Sequence, residues 1–543
     1  MAKRWLILGL LACIVAIPLV LQERVAVLIP QCPDDVLIVI SPHTEFVCDE
    51  FGSAFRHWYQ QRTGRTVVID WRHAGGISET LRYLGTVYDN AFRLYWEQTL
   101  GKPWTQEIAS SFSRPIELPL NASNDTPAEA ARRVFFNSNI GCGIDVLFGG
   151  GTLAFKILET KGFLTPSTLP EKHPEWFTEK SFPLTWGGDF IRDPQNRWFG
   201  AVFSSYGIVY NTDALSSIGY HKIPTRWTDL THPSFIGEVA LCDPSQAGSA
   251  KKSFELIIQE QMLLQAQKAA QTGASEQQAI RTGWIKGLQV IQKLCANARY
   301  LTDKSTKPIM DVAAGDCAVG MAPDQYGLCQ QANIAERQGS DRFGYITPSA
   351  GSAIEADPIG ILRGAPHPEV AEAFLEFVLS EEGQKLWAFR AGTPGGPEHY
   401  ALMRAPVRRE IYERPQYAPY LSASLWKPYE NPEGFIYHPQ WTQPIYPPLH
   451  IIIKAAFIDP QPELRAAWQA ILQAQAEGRS AQAAKAMAIL ENMQGLDYDS
   501  AAGPLKEALV GGCAIETVRT QSALTRRFIA QYAQAQQVAQ QKS

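Results

Sequence analysis

Residues 36–40 form an unbroken apolar run, and the polar stretch Ser41-Pro42-His43-Thr44-Glu45 follows it. From Glu45 to Thr63 the apolar positions recur at helical spacing. Residues 66–71 return to strand character, so the opening predicts a right-handed βαβ unit. Residues 72–84 add a glycine-containing loop and a second helix start. A third strand is predicted at 141–148, then a loop, helix and exit over 149–166. Residues 198–211 and 238–241 are again strand-like, 243–261 a loop entering a long helix, and 284–301 an amphipathic helix. Residues 311–322 are rich in small residues and strand-like, and 343–361 is extended. Residues 368–391 predict one helix, with Pro368 at its start and Lys385 and Arg390 near its end. Strands alternating with helices define an α/β chain.

Two stretches depart from that rhythm. Residues 85–140, rich in Trp, Pro and Asn, are too long for a loop inside a compact unit and read as an insertion. Beyond Gly395, residues 409–449 are crowded with Pro, Tyr and Trp and are expected to wrap over the surface. Residues 462–490 and 505–541 are Ala/Gln-rich with helical periodicity, and are expected to pack as helices on the body rather than to dock a partner. There is no internal repeat.

Composition narrows the class. The chain has 543 residues, enough for two or three domains, and its 45% hydrophobic and 19% charged content is that of a folded globular protein. A net charge of −5 speaks against a nucleic-acid partner, which calls for a basic face. Lys3 and Arg4 precede the apolar run 5–21, which Gln22-Glu23-Arg24 ends. That run is long for a signal peptide and just long enough to span a bilayer. No A-x-A site follows it, and the lipobox-like Leu10-Leu11-Ala12-Cys13 is followed by further apolar residues. A signal anchor at 5–21 is preferred over cleavage within 20–27, with lipidation third; each exports the rest of the chain. Nine cysteines without a C-x-x-C pair or zinc spacing permit disulfides but do not specify them; buried free thiols are as good a reading.

Several loops carry candidate chemistry. Ser41, His43 and Thr44 sit between a strand and a helix N-terminus, where hydroxyl, imidazole and amide N–H groups suit an anion or a metal–anion pair. Thr44 as a simple N-cap beside an exposed His43 is an equal reading. Gly75 and Gly76 allow close backbone approach and Ser78 is placed to cap a helix, although a bare turn fits too. Gly149-Gly150-Gly151-Thr152 resembles a phosphate cradle but lacks the lysine of a nucleotide P-loop. Ser245, Gly248 and Ser249 precede a helix whose first turn holds Lys251 and Lys252, a favourable anion site. With no H-E-x-x-H, G-x-S-x-G, Walker lysine or paired carboxylates, the chain does not read as an enzyme, and no cofactor is expected.

Residues 37–58 (LIVISPHTEFVCDEFGSAFRHW), 199–215 (FGAVFSSYGIVYNTDAL) and 365–387 (APHPEVAEAFLEFVLSEEGQKLW) together resemble the extracellular solute-binding proteins of ABC importers. The branch is the one that takes ferric iron, phosphonates, sugar phosphates, thiamine or polyamines. The resemblance covers 36–84 and 141–395 and implies a type II periplasmic-binding-protein fold: two lobes with mixed sheets joined by a hinge, here with an insertion and a helical C-terminal extension. Lobe 1 would take 36–202, lobe 2 203–344, the return to lobe 1 345–395 and the extension 396–543. Hinge crossings are implied near 202–205, which brings in Ser204 and Tyr206, and near 355–358. All the loops above would then meet in one cleft, joined by Asp324 and Tyr326. Ferric relatives present two adjacent tyrosines there and a carboxylate at the place of Gly150; this chain has Tyr326-Gly327. A small anionic solute, a phosphonate or phosphorylated compound, is therefore preferred over ferric iron and over a membrane-anchored sensor or scaffold. An ABC permease is the implied partner, and a monomer outside the cytoplasmic membrane the implied state.

Overall fold

The computed structural model describes residues 33–113, 118, 125–348, 350–422, 425–430, 435–511 and 513–541. The apolar run 5–21, with Cys13 and Cys32, lies outside them. Among the described residues no helix is long and apolar enough to cross a membrane.

The opening βαβ unit forms as the pattern predicts. Strand Asp35–Ile40 lies between Val67–Arg72 and Val146–Phe148, parallel to both, with helix Glu45–Thr63 after it. Alternation along the first strand sends Leu37 and Val39 to one face of the sheet and Ile40 to the other. On the first face they meet Phe51 and Phe55 of the helix, together with Phe374, Phe377 and Trp387. The other face is covered by Leu84, Tyr88 and Phe155. A sheet of parallel strands needs both faces covered, and both are.

Lobe 1 is a seven-stranded mixed sheet in the order Ala405–Pro406, Phe199–Ser204, Glu355–Leu362, Val146–Phe148, Asp35–Ile40, Val67–Arg72, with Leu164–Thr165 paired to Glu355–Leu362. Lobe 2 is a five-stranded mixed sheet, Ala298–Thr302, Val239–Cys242, Val319–Pro323, Tyr206–Asn211, Phe343–Ile346. The chain passes from the first sheet to the second at Ser205, between Ser204 and Tyr206. It returns between Ile346 and Glu355, so the predicted extended run 343–361 is one strand in each lobe.

Other departures have local causes. The strand foreseen over 141–148 is only Val146–Phe148, because Gly143 at φ 73° breaks the extended path. Residues 307–314 are helical, with Pro308 in the first turn and Gly315 at φ 85° ending the helix before Val319 begins a strand. The helix over 368–391 is two, Pro368–Leu379 and Glu381–Ala388, split at Ser380, whose Oγ accepts the Gly383 N–H to cap the second. The helix foreseen over 284–301 runs Glu276–Asn297 and gives way to the edge strand Ala298–Thr302. The insertion is built on helix Ile77–Leu94, with Gln106–Ser113 and Pro127–Phe136 packed beside it through Tyr88, Phe92, Trp96 and Phe135.

The extension does more than wrap the surface. Ala405–Pro406 adds an edge strand to lobe 1, and Tyr429 donates to the Val407 carbonyl at 2.5 Å while packing on Phe203. Further on, helices Tyr446–Ile453, Gln461–Ala476, Ser480–Leu490 and Ala514–Gln540 share one hydrophobic core with lobe 2. Polar pins fix them there: Trp468 Nε1 to Asn297 at 3.0 Å, Gln292 Nε2 to the Leu490 carbonyl at 2.8 Å and to Tyr532 at 3.0 Å. The extension therefore crosses the hinge itself. Tyr437 donates its N–H to Gly187 of lobe 1 and its phenol to Glu255 of lobe 2, at 2.8 and 2.7 Å. Tyr206, Leu256, Ala353, Phe435 and Tyr437 form a small core that draws on all three crossings.

The described cysteines are free: Cys48, Cys142, Cys242, Cys295 and Cys317 are buried, Cys329 is half-buried and Cys513 exposed.

Candidate functional site

Between the lobes lies a cleft of about 710 Å³. Lobe 1 contributes His43, Thr44, Gly76, Ser78, Gly150 and Gly151; the first crossing contributes Ser204 and Tyr206; lobe 2 contributes Gly248, Ser249 and Tyr326. The remaining sequence candidates stand elsewhere. Ser41 is buried behind the loop, donating to the Phe148 carbonyl at 2.7 Å and accepting the His43 N–H at 3.1 Å. Thr152 is buried and donates to the Ala356 carbonyl at 3.1 Å. Asp324 is buried and accepts from Ser204 Oγ at 3.2 Å and the Gln325 N–H at 2.8 Å; burial raises its carboxyl above the usual range. Gly75 and Ser245 lie outside the cleft lining, and the Ser245 N–H is taken by Asp243 at 2.7 Å. These residues hold the walls; they do not face the cavity.

The glycine loop is not an open cradle. Asp357 Oδ1 accepts the N–H groups of Gly150 and Gly151 at 2.6 and 3.0 Å, and Oδ2 accepts Arg404 Nη1 at 2.9 Å, with His43 Nε2 3.8 Å away. Burial opposes ionisation of Asp357, but His43, Arg404 and the loop amides outweigh it and hold the carboxyl at about 2. Burial likewise lowers His43 to about 4, so its ring is neutral at pH 7, and its Nε2 is buried without a hydrogen-bond partner. The loop N–H groups that would hold a bound anion are thus occupied by the protein's own carboxylate.

The opposite wall is different. Helix Gly248–Thr272 points its N-terminus at the cleft, with Ala247 at the cap position and no side chain capping it. Ser249 Oγ is 2.6 Å from Ser305 Oγ, and both line the cavity. Lys251 and Lys252 divide the roles. Lys252 is buried, paired with Glu255 at 3.0 Å and set 3.8 Å above the Tyr437 ring. Lys251 faces the cleft, 4.1 Å above the Tyr446 ring, and its ammonium makes no hydrogen bond or ion pair with any described residue. Burial brings its ammonium down to about 8. Glu355, also on the cleft, accepts the Tyr206 hydroxyl at 3.1 Å, and burial raises its carboxyl. Among the described residues no three His, Cys, Asp or Glu side chains stand together as a metal site.

Sequence reasoning placed Asp357 on a crossing rather than in the site and missed Arg404, Ser305 and Tyr446. For Asp357 a signal existed, a carboxylate inside the buried run 355–362, where a charge is rarely found unpaired. Arg404 and Tyr446 lie beyond the motifs read in the sequence, which end at Gly395, and nothing local marks them.

Two mixed-sheet lobes joined by a hinge, with a polar cleft over the crossings, define a type II solute-binding fold. Residues 157–409 match the family described as bacterial extracellular solute-binding protein. An uncharacterized protein of Haemophilus influenzae is 27% identical over 180 residues, 33% of this chain and 44% of that protein. The phosphoglycerate transport regulatory protein PgtC of Salmonella typhimurium is 22% identical over 185 residues, 34% of this chain and 39% of that protein. Both matches span less than half of those relatives. Iron-bound HitA from Pseudomonas aeruginosa superposes with a TM-score of 0.43 at 16% identity, covering 77% of this chain and 99% of HitA.

Proposed function

We propose that this protein is the extracytoplasmic solute-binding component of an ABC importer and that its solute is a small anion, a phosphonate or phosphorylated compound. One observation carries the ligand class: Lys251, charged at neutral pH, half-buried at an uncapped helix N-terminus beside two serine hydroxyls, with its ammonium in no ion pair among the described residues. A cation held out of water and left unpaired is stabilised by an anion from outside. The phosphoglycerate transport named for the Salmonella relative agrees with that chemistry. Solute held by Lys251, Ser249 and Ser305 on lobe 2 and reached by Thr44 and Ser78 on lobe 1 bridges the lobes, and the closed form is what a membrane permease recognises. Ferric coordination has less to work with, because Asp357 is engaged by Arg404 and the loop amides and a single tyrosine, Tyr326, faces the cleft at that loop.

A thermal-shift screen of phosphates, phosphonates, polyamines and ferric chelates on the full chain tests this, followed by calorimetry on the best anion. Lys251→Gln should weaken that anion ten- to a hundredfold, the worth of roughly 1.5–3 kcal/mol for a charge-assisted hydrogen bond. Affinity should fall as pH rises through about 8, where the free ammonium titrates. Stoichiometric Fe³⁺ uptake with a phenolate charge-transfer band that Tyr326→Phe abolishes would replace the anion with iron.

A further inference from the structure

We propose that the C-terminal extension is a wall of the binding site, with Tyr446 the positioning residue that holds the Lys251 ammonium at the cleft; this rests on the anion reading above for what Lys251 binds. Three observations carry it. Tyr446 lines the same cavity as Lys251, its ring 4.1 Å from the ammonium. It stands on a helix, Tyr446–Ile453, whose Leu449, Ile452 and Ile453 are fully buried in the lobe 2 core, so the ring has a rigid base. The nearby carboxylate, Glu255, acts on Lys251 only through space, because its direct partners are Lys252, Tyr437 and Thr442.

An aromatic face attracts a cation without neutralising it. Against Tyr446 the ammonium is fixed in place and stripped of part of its water while keeping its full charge for a ligand. The groups that act on Lys251 are Glu255 on its own helix and Tyr446 and His450 on the extension, and Asp303, Lys304 and Glu355 line the same cavity. His450 is held at about 4 by burial and by Lys251 itself, and its Nδ1 is buried without a partner. It is neutral and does not compete with the solute. The extension thus sets the Tyr446 ring against a wall whose Ser249 and Ser305 hydroxyls and Lys251 ammonium come from lobe 2.

Two readouts on the full chain separate this proposal from the anion reading. The first needs no ligand: competitive acetylation against pH, followed on the Lys251 peptide by mass spectrometry. Tyr446→Phe, which keeps the ring, should leave the Lys251 titration near its wild-type position. Tyr446→Leu, which opens the ammonium to water, should move it up by a unit or more. The second is calorimetric titration with inorganic phosphate as probe, where the Leu variant should bind at least fivefold more weakly and the Phe variant like wild type. A Leu variant whose Lys251 titrates as in wild type, or a Phe variant that shifts as far as Leu, would overturn the proposal. If phosphate binding is absent, or equal in wild type and Lys251→Gln, while the Leu variant still shifts the titration, the anion reading falls and the positioning role of Tyr446 stands.

Discussion

The amides of Gly150 and Gly151 carry the plainest lesson at the scale of single residues. Three consecutive glycines between a strand and a helix are legible in the sequence as a place where backbone N–H groups point outward, and they do. What they point at is Asp357, more than two hundred residues away and invisible to any local pattern. Each glycine of the loop has positive φ, and a Cβ at Gly149 or Gly150 would fall 2.5 Å from His43 or 2.3 Å from Ile77. The glycines are thus explained by backbone geometry and packing without any ligand. The charge at this point depends on Arg404, whose side chain is 4% exposed. Arg404→Met should leave Asp357 buried with one charged partner fewer and lower stability by about 3–5 kcal/mol, read by urea denaturation. A loss under 1 kcal/mol would show that the loop amides suffice to hold the carboxylate.

Among the elements, those with strong periodicity were legible and those that depend on a partner surface were not. Helix Glu45–Thr63 ends where its pattern and Gly64 predict, because local apolar spacing and a left-handed glycine both mark it. The break at Ser380 went unread, since a serine inside an apolar run signals a cap only once the chain turns there. The pair Gly248–Thr272 and Glu276–Asn297 shows the same limit: the run from Trp284 reads as amphipathic helix, but the reason for the glycines at 283 and 287 lies on the other helix. A Cβ at Gly283 would stand 2.3 Å from Met262 Cα, and one at Gly287 2.7 Å from Ile258 Cα. Replacing a helical glycine by alanine gains roughly 0.5–1 kcal/mol from the backbone, and overpacking against a neighbouring backbone costs about 1–3 kcal/mol. Packing wins on those numbers. Gly283→Ala should destabilise the protein, and a raised melting temperature would show that the helices part at little cost.

Over the whole molecule, the two lobes were legible and the third crossing was not. The strand patterns that mark the lobes are local, whereas Phe435 and Tyr437 reach the hinge core only because the helices after them are anchored on lobe 2. The fold also keeps two neutral histidines, His43 in lobe 1 and His450 in the extension, each lowered to about 4 by burial. The sign follows: an unfolded chain takes up these protons near pH 6.5 and the folded chain refuses them until about 4, so stability is full above 6.5 and falls as pH drops between those values. Each histidine accounts for at most roughly 3 kcal/mol of that fall. Melting temperature should decline from pH 7 to pH 5, and the decline should flatten in a His43→Gln, His450→Gln double variant. An unchanged slope in that variant would assign the acid sensitivity to the carboxylates.

The third crossing bears on what a protein engineer can remove. The part that carries the motifs read in the sequence, up to Gly395, looks like a unit that ought to survive excision. Cut there, it would lose Arg404 from beside Asp357, the edge strand Ala405–Pro406, two of the five residues in the hinge core and the cover over a face of lobe 2 that includes the fully buried Trp284 and Ile291. The tail is not a detachable appendage: a piece ending at Gly395 would lie open at lobe 1, at lobe 2 and at the hinge between them.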